Sequence, residues 1–273
     1  MRQRRRRTVP VPEGTLACEE TGSGAPVVML HGFSFDQRMW DPQFLPLGDR
    51  HRVIRYDLRG FGASGPPAAG HGHVDDLVAL LDDLAIDRAC LIGLSLGANV
   101  ALATALAHPD RVDGLVLASP GLPGHRWSQE RPPEAALAVA ARDGVDAAKR
   151  FWLDHPVFAS TRAYPEARAA LEEMVADFPA HQWRDGPASA PLPAFSDRLG
   201  AVTVPTLVVN GELDVDGYRE IGDVISHRVP RATHVTVPAA GHVMSLERPE
   251  EFEHAVRPFL AQLAVTPPST GIA

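Results

Sequence analysis

Ser95 is the residue whose surroundings point most directly to chemistry. Glycines stand two residues before it and two residues after it, at Gly93 and Gly97. The apolar run 90–94 predicts a buried strand, and a helical pattern begins straight after the serine. A turn this sharp needs small side chains, and it presents the serine hydroxyl at the end of the strand beside the N–H of Leu96. The pattern therefore indicates a nucleophilic serine.

A serine hydroxyl is a poor nucleophile near neutral pH, so it needs an adjacent base, usually a histidine that a carboxylate orients. His242 follows the last predicted strand in a loop of small residues, at the edge of the sheet where Ser95 should lie. Asp214 follows the preceding predicted strand, and we expect it to be the acid. Asp216 and Glu212 remain alternatives for that role.

The negative oxygen that forms during acyl transfer needs two N–H donors. We expect these donors to be the backbone N–H groups of Leu96 and of Phe33, which stands in the loop after the predicted strand 26–30. His31 is predicted to brace that loop. Asp57 and Arg59 are predicted to hold their own glycine-rich turn, with a role of Arg59 in substrate binding as the alternative.

The histidines His71 and His73 could in principle bind a metal. A metal site also needs further cysteine, histidine or carboxylate ligands at a fitting spacing, and the sequence offers no such set. We therefore predict no metal site.

Helical patterns alternate with short apolar runs, which predicts a mostly parallel sheet with helices on both of its faces. Ligands of such sheets bind at the carboxyl ends of the strands, where the candidate residues stand. The predicted strands cover residues 15–21, 26–30, 52–56, 90–94, 112–118, 206–210 and 233–237.

The segment from about residue 124 to 194 carries helical patterns and no strand signal. It follows Ala118, so it should emerge beside the candidate site. We predict a helical cap over residues 123–197, inserted after the strand 112–118, between two core segments at 1–122 and 198–273. Three of the four tryptophans lie in this cap and are expected to contact substrate, although they could instead form the core of the cap: Trp127, Trp152 and Trp183.

The composition of the 273 residues, 45% hydrophobic and 22% charged, is that of a globular chain. A net charge of −8 argues against a general nucleic-acid binder, and no apolar stretch is long enough to cross a membrane.

Cys18 and Cys90 are predicted to be reduced core residues, which favours a location in the cytoplasm. The arginine-rich stretch 1–7 is predicted to be a frayed, solvated end rather than an export signal. The oligomeric state cannot be read.

Several short motifs along the chain occur together in a known family, namely His31-Gly32-Phe33, Met39-Trp40, 55–64, 93–97, 211–214 and Gly241-His242. Together they resemble the motifs of the α/β-hydrolase superfamily, over residues 15–263. Within it, residues 39–43 and 52–65 resemble the 3-oxoadipate enol-lactonase and small carboxylesterase group. The chain departs from the usual pattern at Ala98, where a glycine is common, and after Asp214, where a proline is often found.

The resemblance implies the α/β-hydrolase fold and a cofactor-free Ser95–His242–Asp214 triad. The expected activity is hydrolysis of a small-molecule carboxylic ester or lactone through an acyl-enzyme. Because the nucleophile is a serine and not an aspartate, dehalogenase and epoxide-hydrolase chemistries are disfavoured. An acyltransferase, a cofactor-free perhydrolase or a carbon–carbon bond hydrolase could use the same triad. A non-catalytic small-molecule binding protein on this scaffold is the alternative from a different class.

Overall fold

An eight-stranded sheet organises the part of the chain that the computed structural model describes, namely residues 4–70, 72–127, 132–184 and 191–265. The strands lie in the order β1-β2-β4-β3-β5-β6-β7-β8. β2 pairs antiparallel with both β1 and β4, and all pairs from β3 onward are parallel. The strands are β1 (Arg5–Val11), β2 (Gly14–Gly22), β3 (Ala25–Leu30), β4 (His51–Tyr56), β5 (Ala89–Leu94), β6 (Val112–Ala118), β7 (Thr206–Gly211) and β8 (Ala232–Val237).

Helices surround this sheet, so its central strands are covered by protein. Every residue of β5 and of β7 is buried, as expected for continuous apolar strands of a parallel sheet. The helices are α1 (Asp41–Leu47), α2 (His73–Asp83), α3 (Leu96–Ala107), α4 (Pro132–Asp143), α5 (Val145–Leu153), α6 (Pro165–Asp177), α7 (His181–Arg184), α8 (Asp216–Arg228), α9 (Met244–Glu247) and α10 (Pro249–Val265). Short 3-10 helices cover Gln37–Trp40, Pro109–Arg111, Pro156–Ala163 and Ser196–Ala201. Within the described ranges, no helix has the length and apolarity needed to span a bilayer.

The arginine-rich N-terminus is an ordered strand from Arg5 onward, so the prediction of a frayed end was wrong over these residues. β1 pairs with β2 along its whole length. The facing strand β2 supplies the opposite charges. Nε of Arg6 lies 2.9 Å from Oε1 of Glu19, and Nε of Arg7 lies 3.8 Å from Oε2 of Glu20. Cross-strand pairs of opposite charge stabilise a sheet, so these ion pairs help to hold the arginines in a regular strand.

The segment between β6 and β7 holds helices α4 to α7 and, in its described residues, no strand. It contacts the core at several points. Arg38 of the core forms ion pairs with Glu173 and Asp177 of α6, and the indole of Trp152 donates a hydrogen bond to the Ser34 hydroxyl at 2.7 Å. We call this part of the chain, residues 119–205, the inserted segment. The division into a cap at 123–197 and core segments at 1–122 and 198–273 stays a prediction.

Candidate active site

Ser95 occupies the sharp turn between β5 and α3, with a left-handed backbone conformation at φ 52° and ψ −106°. A serine rarely adopts this conformation, and such strain is concentrated at functional sites. The flanking glycines are required because a side chain would not fit at either position. A Cβ at Gly93 would overlap the backbone of Gly97, and one at Gly97 would overlap the carbonyl oxygen of Leu30. The strand, the turn and the helix can therefore approach only because these side chains are missing.

The turn is fixed to the neighbouring strands through a short run of hydrogen bonds. The N–H of Ser95 donates to the carbonyl oxygen of Ala118, the last residue of β6, at 2.9 Å. The next residue, Ser119, donates its hydroxyl to Oδ2 of Asp214 at 2.6 Å. Because β5, β6 and β7 are adjacent and parallel, their carboxyl ends bring Ser95 and Asp214 to one edge of the sheet.

His242 and Asp214 form a buried pair at this edge. Nδ1 of the histidine lies 3.1 Å from Oδ2 and 3.2 Å from Oδ1 of the carboxylate. The carboxylate also accepts a hydrogen bond from the N–H of Val215 at 2.8 Å. An aspartate on Nδ1 favours the tautomer with the proton on that nitrogen, which leaves the lone pair of Nε2 free to accept a proton.

The two alternative acids lie elsewhere. Asp216 begins helix α8, is exposed and forms an ion pair with Arg219, one turn along the same helix. Glu212 is also exposed and accepts the N–H of Ala239 at 2.8 Å. Of the three carboxylates, the structure brings Asp214 into hydrogen-bond contact with His242.

The loop predicted to complete the oxyanion site packs directly against the serine turn. A Cβ at Gly97 would meet the carbonyl oxygen of His31, and one at Gly32 would meet the side chain of Leu94. Phe33 stands in this loop, half-buried, and Leu96 is the first residue of α3. An N–H group at a helix N-terminus, such as that of Leu96, suits a developing negative charge. The role of the Phe33 and Leu96 N–H groups as oxyanion donors stays a prediction.

His31 braces this loop through both ring nitrogens. Nδ1 lies 2.8 Å from the carbonyl oxygen of Gly32, to which it donates, and Nε2 accepts the N–H of Leu58 at 2.9 Å. Both bonds suit a neutral imidazole, and burial lowers the pKa of His31. Asp57 holds its turn by accepting the N–H of Ala63 at 2.8 Å.

Two further polar residues singled out in the sequence, Arg59 and His73, are buried. Arg59 donates to Asp76 and to the carbonyl oxygen of Pro12, so its guanidinium joins the end of β1 to α2. His73 is buried at the start of α2. His71 lies outside the described residues.

The three tryptophans of the inserted segment lie in two groups. Trp152 and Trp183 are buried, and both pack on the ring of Phe33, with ring centroids 6.0 Å and 5.7 Å away. Trp127 instead packs edge-on against Tyr218 at 4.9 Å, and the ring of Tyr218 lies 4.2 Å from that of His242. Trp152 and Trp183 therefore contact a residue of the predicted site directly. Trp127 contacts Tyr218, which in turn contacts His242.

Sequence reasoning assigned no role to three residues around His242 and Asp214. Ser119 contacts Asp214, Tyr218 packs on the ring of His242, and Glu247 accepts the N–H of Gly241 at 2.6 Å. The available signal for Ser119 was its place directly after a buried strand at the same sheet edge. The other two residues stand in helical stretches and carried no local signal.

The match to known proteins covers most of the chain. Residues 27–255 match the alpha/beta hydrolase family. The chain belongs to this family. The fold and the superfamily resemblance predicted from the sequence are thereby confirmed.

Several similar proteins are esterases or degrade lactones. Est816, described as an N-acyl homoserine lactone degrading enzyme, is 33% identical with a TM-score of 0.79 over 93% of this chain and 100% of its own. A thermophilic esterase from Thermogutta terrifontis is 31% identical with a TM-score of 0.81 over 96% and 99%. A pimeloyl-(acyl-carrier protein) methyl ester esterase of Nitrosomonas europaea is 30% identical over 86% of this chain and 95% of that protein.

Proposed function

We propose that this protein is a serine hydrolase that cleaves a small-molecule carboxylic ester or lactone without a cofactor. Ser95 is the nucleophile, His242 is the general base and acid, and Asp214 orients the histidine. The N–H groups of Phe33 and Leu96 hold the oxyanion. Cys18 and Cys90 are buried free thiols, which supports a cytoplasmic location.

One observation carries the proposal: the buried contact of His242 with Asp214 stands at the same sheet edge as the strained serine. The chain of contacts from the N–H of Ser95 through Ala118 and Ser119 to Asp214 joins the two. A structural role alone would not require a left-handed serine and a buried histidine–carboxylate pair together. A binding protein would need neither, so this combination favours catalysis.

The reaction would proceed in two halves. Nε2 of His242 takes the Ser95 hydroxyl proton as Oγ attacks the acyl carbon, and the negative oxygen is held by the two N–H groups. The tetrahedral intermediate collapses, and the histidine gives its proton to the leaving alkoxide. From an ester this group departs as an alcohol, and from a lactone it stays attached to the acyl chain as a hydroxyl. Water then attacks the acyl-enzyme, with His242 again taking the proton, and the acid is released as Ser95 recovers its hydroxyl.

The substrate's acyl part would meet an apolar surface. Phe33 is surrounded by the rings of Phe61, Trp152, Phe178 and Trp183, with centroids between 5.4 Å and 6.0 Å away. We propose that the inserted segment acts as a cap and that these rings border the acyl group. The esterase and lactone-degrading relatives support both ester and lactone as substrate classes.

The test is a panel of p-nitrophenyl esters of rising chain length together with unsubstituted and N-acylated lactones. We expect turnover of at least one class, and its loss in Ser95→Ala. Ser226→Ala is the matched control, because the hydroxyl of this half-buried serine donates within its own helix, to the carbonyl oxygen of Asp223. Turnover that survives in Ser95→Ala would contradict the proposal, as would a wild-type protein inert toward the whole panel.

A further inference from the structure

A second buried carboxylate stands behind the histidine loop. Glu247, the last residue of α9, is 4% exposed. Its Oε2 accepts the N–H of Gly241, the residue before His242, at 2.6 Å. Its Oε1 accepts the hydroxyl of Ser160 at 3.0 Å, and Ser160 belongs to the inserted segment. One side chain thus contacts both the histidine loop and the segment that would cover it.

The electrostatics of Glu247 show that this carboxylate is costly to bury. Desolvation raises its pKa, while the N–H groups of Gly241 and Val243, the Ser160 hydroxyl and the nearby His242 act in the opposite direction. Among the described ion pairs Glu247 has no arginine or lysine partner. Its carboxylate oxygens therefore accept hydrogen bonds from backbone N–H groups of the histidine loop and from one hydroxyl of the inserted segment.

The loop between β8 and α9 is held from several sides. Ala239 has a left-handed backbone at φ 57°, its carbonyl oxygen accepts the Tyr164 hydroxyl at 2.7 Å, and its N–H donates to Glu212 at 2.8 Å. Gly241 has no room for a side chain, because a Cβ there would overlap the Ser160 hydroxyl. Ser160 of the inserted segment therefore packs against Gly241, the residue before His242. Tyr164 of the same segment contacts the loop at Ala239.

We propose that Glu247 is a positioning residue: its carboxylate fixes the peptide that carries His242 and fastens the inserted segment to that loop through Ser160. This inference rests on the proposed function, because it assigns His242 the role of base. The hydrogen bonds from Gly241 and Ser160 converge on one carboxylate, so the position of the histidine and the seating of the inserted segment are coupled.

Glu247→Ala and Glu247→Gln separate this role from general support of the fold. Alanine removes the acceptor, whereas glutamine can accept the Gly241 N–H with its carbonyl oxygen and donate to the Ser160 oxygen. We expect kcat in the alanine variant to fall by about tenfold to a hundredfold, since a misplacement of roughly 1 Å can cost about 10²-fold. KM should rise as well, because this variant also loses the link to Ser160. The glutamine variant should recover most of that loss.

Ser160→Ala provides an independent arm. It keeps the bond from Glu247 to the histidine loop and removes only the link to the inserted segment. We expect KM to rise by more than kcat falls, because the substrate then meets a less firmly seated segment. Glu250→Gln is the matched control, since Glu250 is exposed, lies in the first turn of α10 and stands three residues after Glu247. Circular dichroism on all variants excludes unfolding.

A readout that needs no turnover is the NMR resonance of the Nδ1–H proton of His242, which reports the hydrogen bond from this ring to Asp214. The groups that face this ring are Asp214, Tyr218 and Glu247, of which only Glu247 changes. Displacement of the histidine loop should shift this resonance in Glu247→Ala, whereas Glu247→Gln and Glu250→Gln should leave it near its wild-type position.

Three results would overturn the proposal. In the first, Glu247→Ala keeps kcat within about threefold of wild type while folded, a change of less than roughly 0.7 kcal/mol in the barrier. In the second, alanine and glutamine cause equal losses, and in the third, the Nδ1–H resonance of His242 stays unchanged in Glu247→Ala. If the wild type turns over no ester or lactone but this resonance still shifts in Glu247→Ala, the proposed function fails and the placement of Glu247 on the histidine loop stands.

Discussion

Ser119 donates its hydroxyl to Oδ2 of Asp214 at 2.6 Å, on the same oxygen that lies 3.1 Å from Nδ1 of His242. The hydroxyl therefore shares with the histidine the task of orienting the carboxylate. Ser119 itself has a left-handed backbone at φ 40° directly after β6. A serine at the end of β6 thus holds the aspartate that follows β7.

Replacing this serine should weaken catalysis without removing it. We expect Ser119→Ala to lower kcat by about tenfold, because a hydrogen bond to a charged group is worth about 1.5–3 kcal/mol and only part of it bears on the orientation of Asp214. The measurement is kcat on one ester at saturating substrate. Wild-type kcat in Ser119→Ala would show that the hydroxyl has no part in orienting the acid.

The choice of acid is tested by a pair of matched substitutions. Asp214→Asn should reduce kcat by up to about 10⁴-fold, the loss seen when such an amide holds the histidine in the wrong tautomer. Asp216→Asn should leave kcat within about threefold and stability within roughly 0.5 kcal/mol, because its exposed carboxylate contacts Arg219. A large loss in Asp216→Asn with none in Asp214→Asn would reverse the assignment.

Acyl preference should depend on Trp152, which joins the inserted segment to the predicted oxyanion loop. Its indole donates to Ser34 and packs on Phe33. We expect Trp152→Ala to change the ratio of kcat/KM between long and short acyl esters by about tenfold, or roughly 1.4 kcal/mol, with a smaller effect on acetate esters. Phe151→Ala is the control, since this exposed neighbour lies on the same helix. An equal loss on every ester would indicate damaged folding and refute a role in selectivity.

The protein should lose stability in acid through His73. Burial lowers its pKa from 6.5 to about 4, and Nδ1 has no hydrogen-bond partner in the described structure. Because the unfolded chain binds this proton more readily, the free energy of unfolding falls as pH drops from 6.5 through the folded pKa, by at most about 3 kcal/mol.

Urea unfolding of wild type and His73→Leu over that pH range measures this contribution. The difference in stability should move in favour of the variant as the pH falls. The exposed His254 provides the control His254→Leu, for which the difference should stay flat. If the difference in unfolding free energy between His73→Leu and wild type also stays constant with pH, the His73 ring does not contribute to the loss of stability in acid.

The serine turn could be predicted because its signal is local. An apolar strand, two glycines and a helical pattern stand side by side in the sequence. The placement of Asp214 and His242 at the same edge as Ser95 followed from strand ends that parallel pairing brings together. Only the structure shows which of Asp214 and Asp216 contacts His242, because that depends on where α8 begins. Asp216 is the first residue of that helix, and Asp214 lies before it.

The features that sequence reasoning missed depend on distant partners. The arginines of β1 suggested a solvated end because Glu19 and Glu20 face them only once β2 has paired. Glu247 has the local pattern of an ordinary helical glutamate, and its contacts become visible only when Ser160, 87 positions earlier, meets it. Local patterns carry no information about contacts of this kind.

The central claim is that Ser95 forms a covalent intermediate with the help of His242. The most direct measurement is intact-mass analysis and peptide mapping after exposure to a serine-directed fluorophosphonate. We expect one adduct, mapped to Ser95, that is absent in Ser95→Ala and forms much more slowly in His242→Ala. An adduct on another residue, or undiminished labelling in Ser95→Ala, would contradict the account.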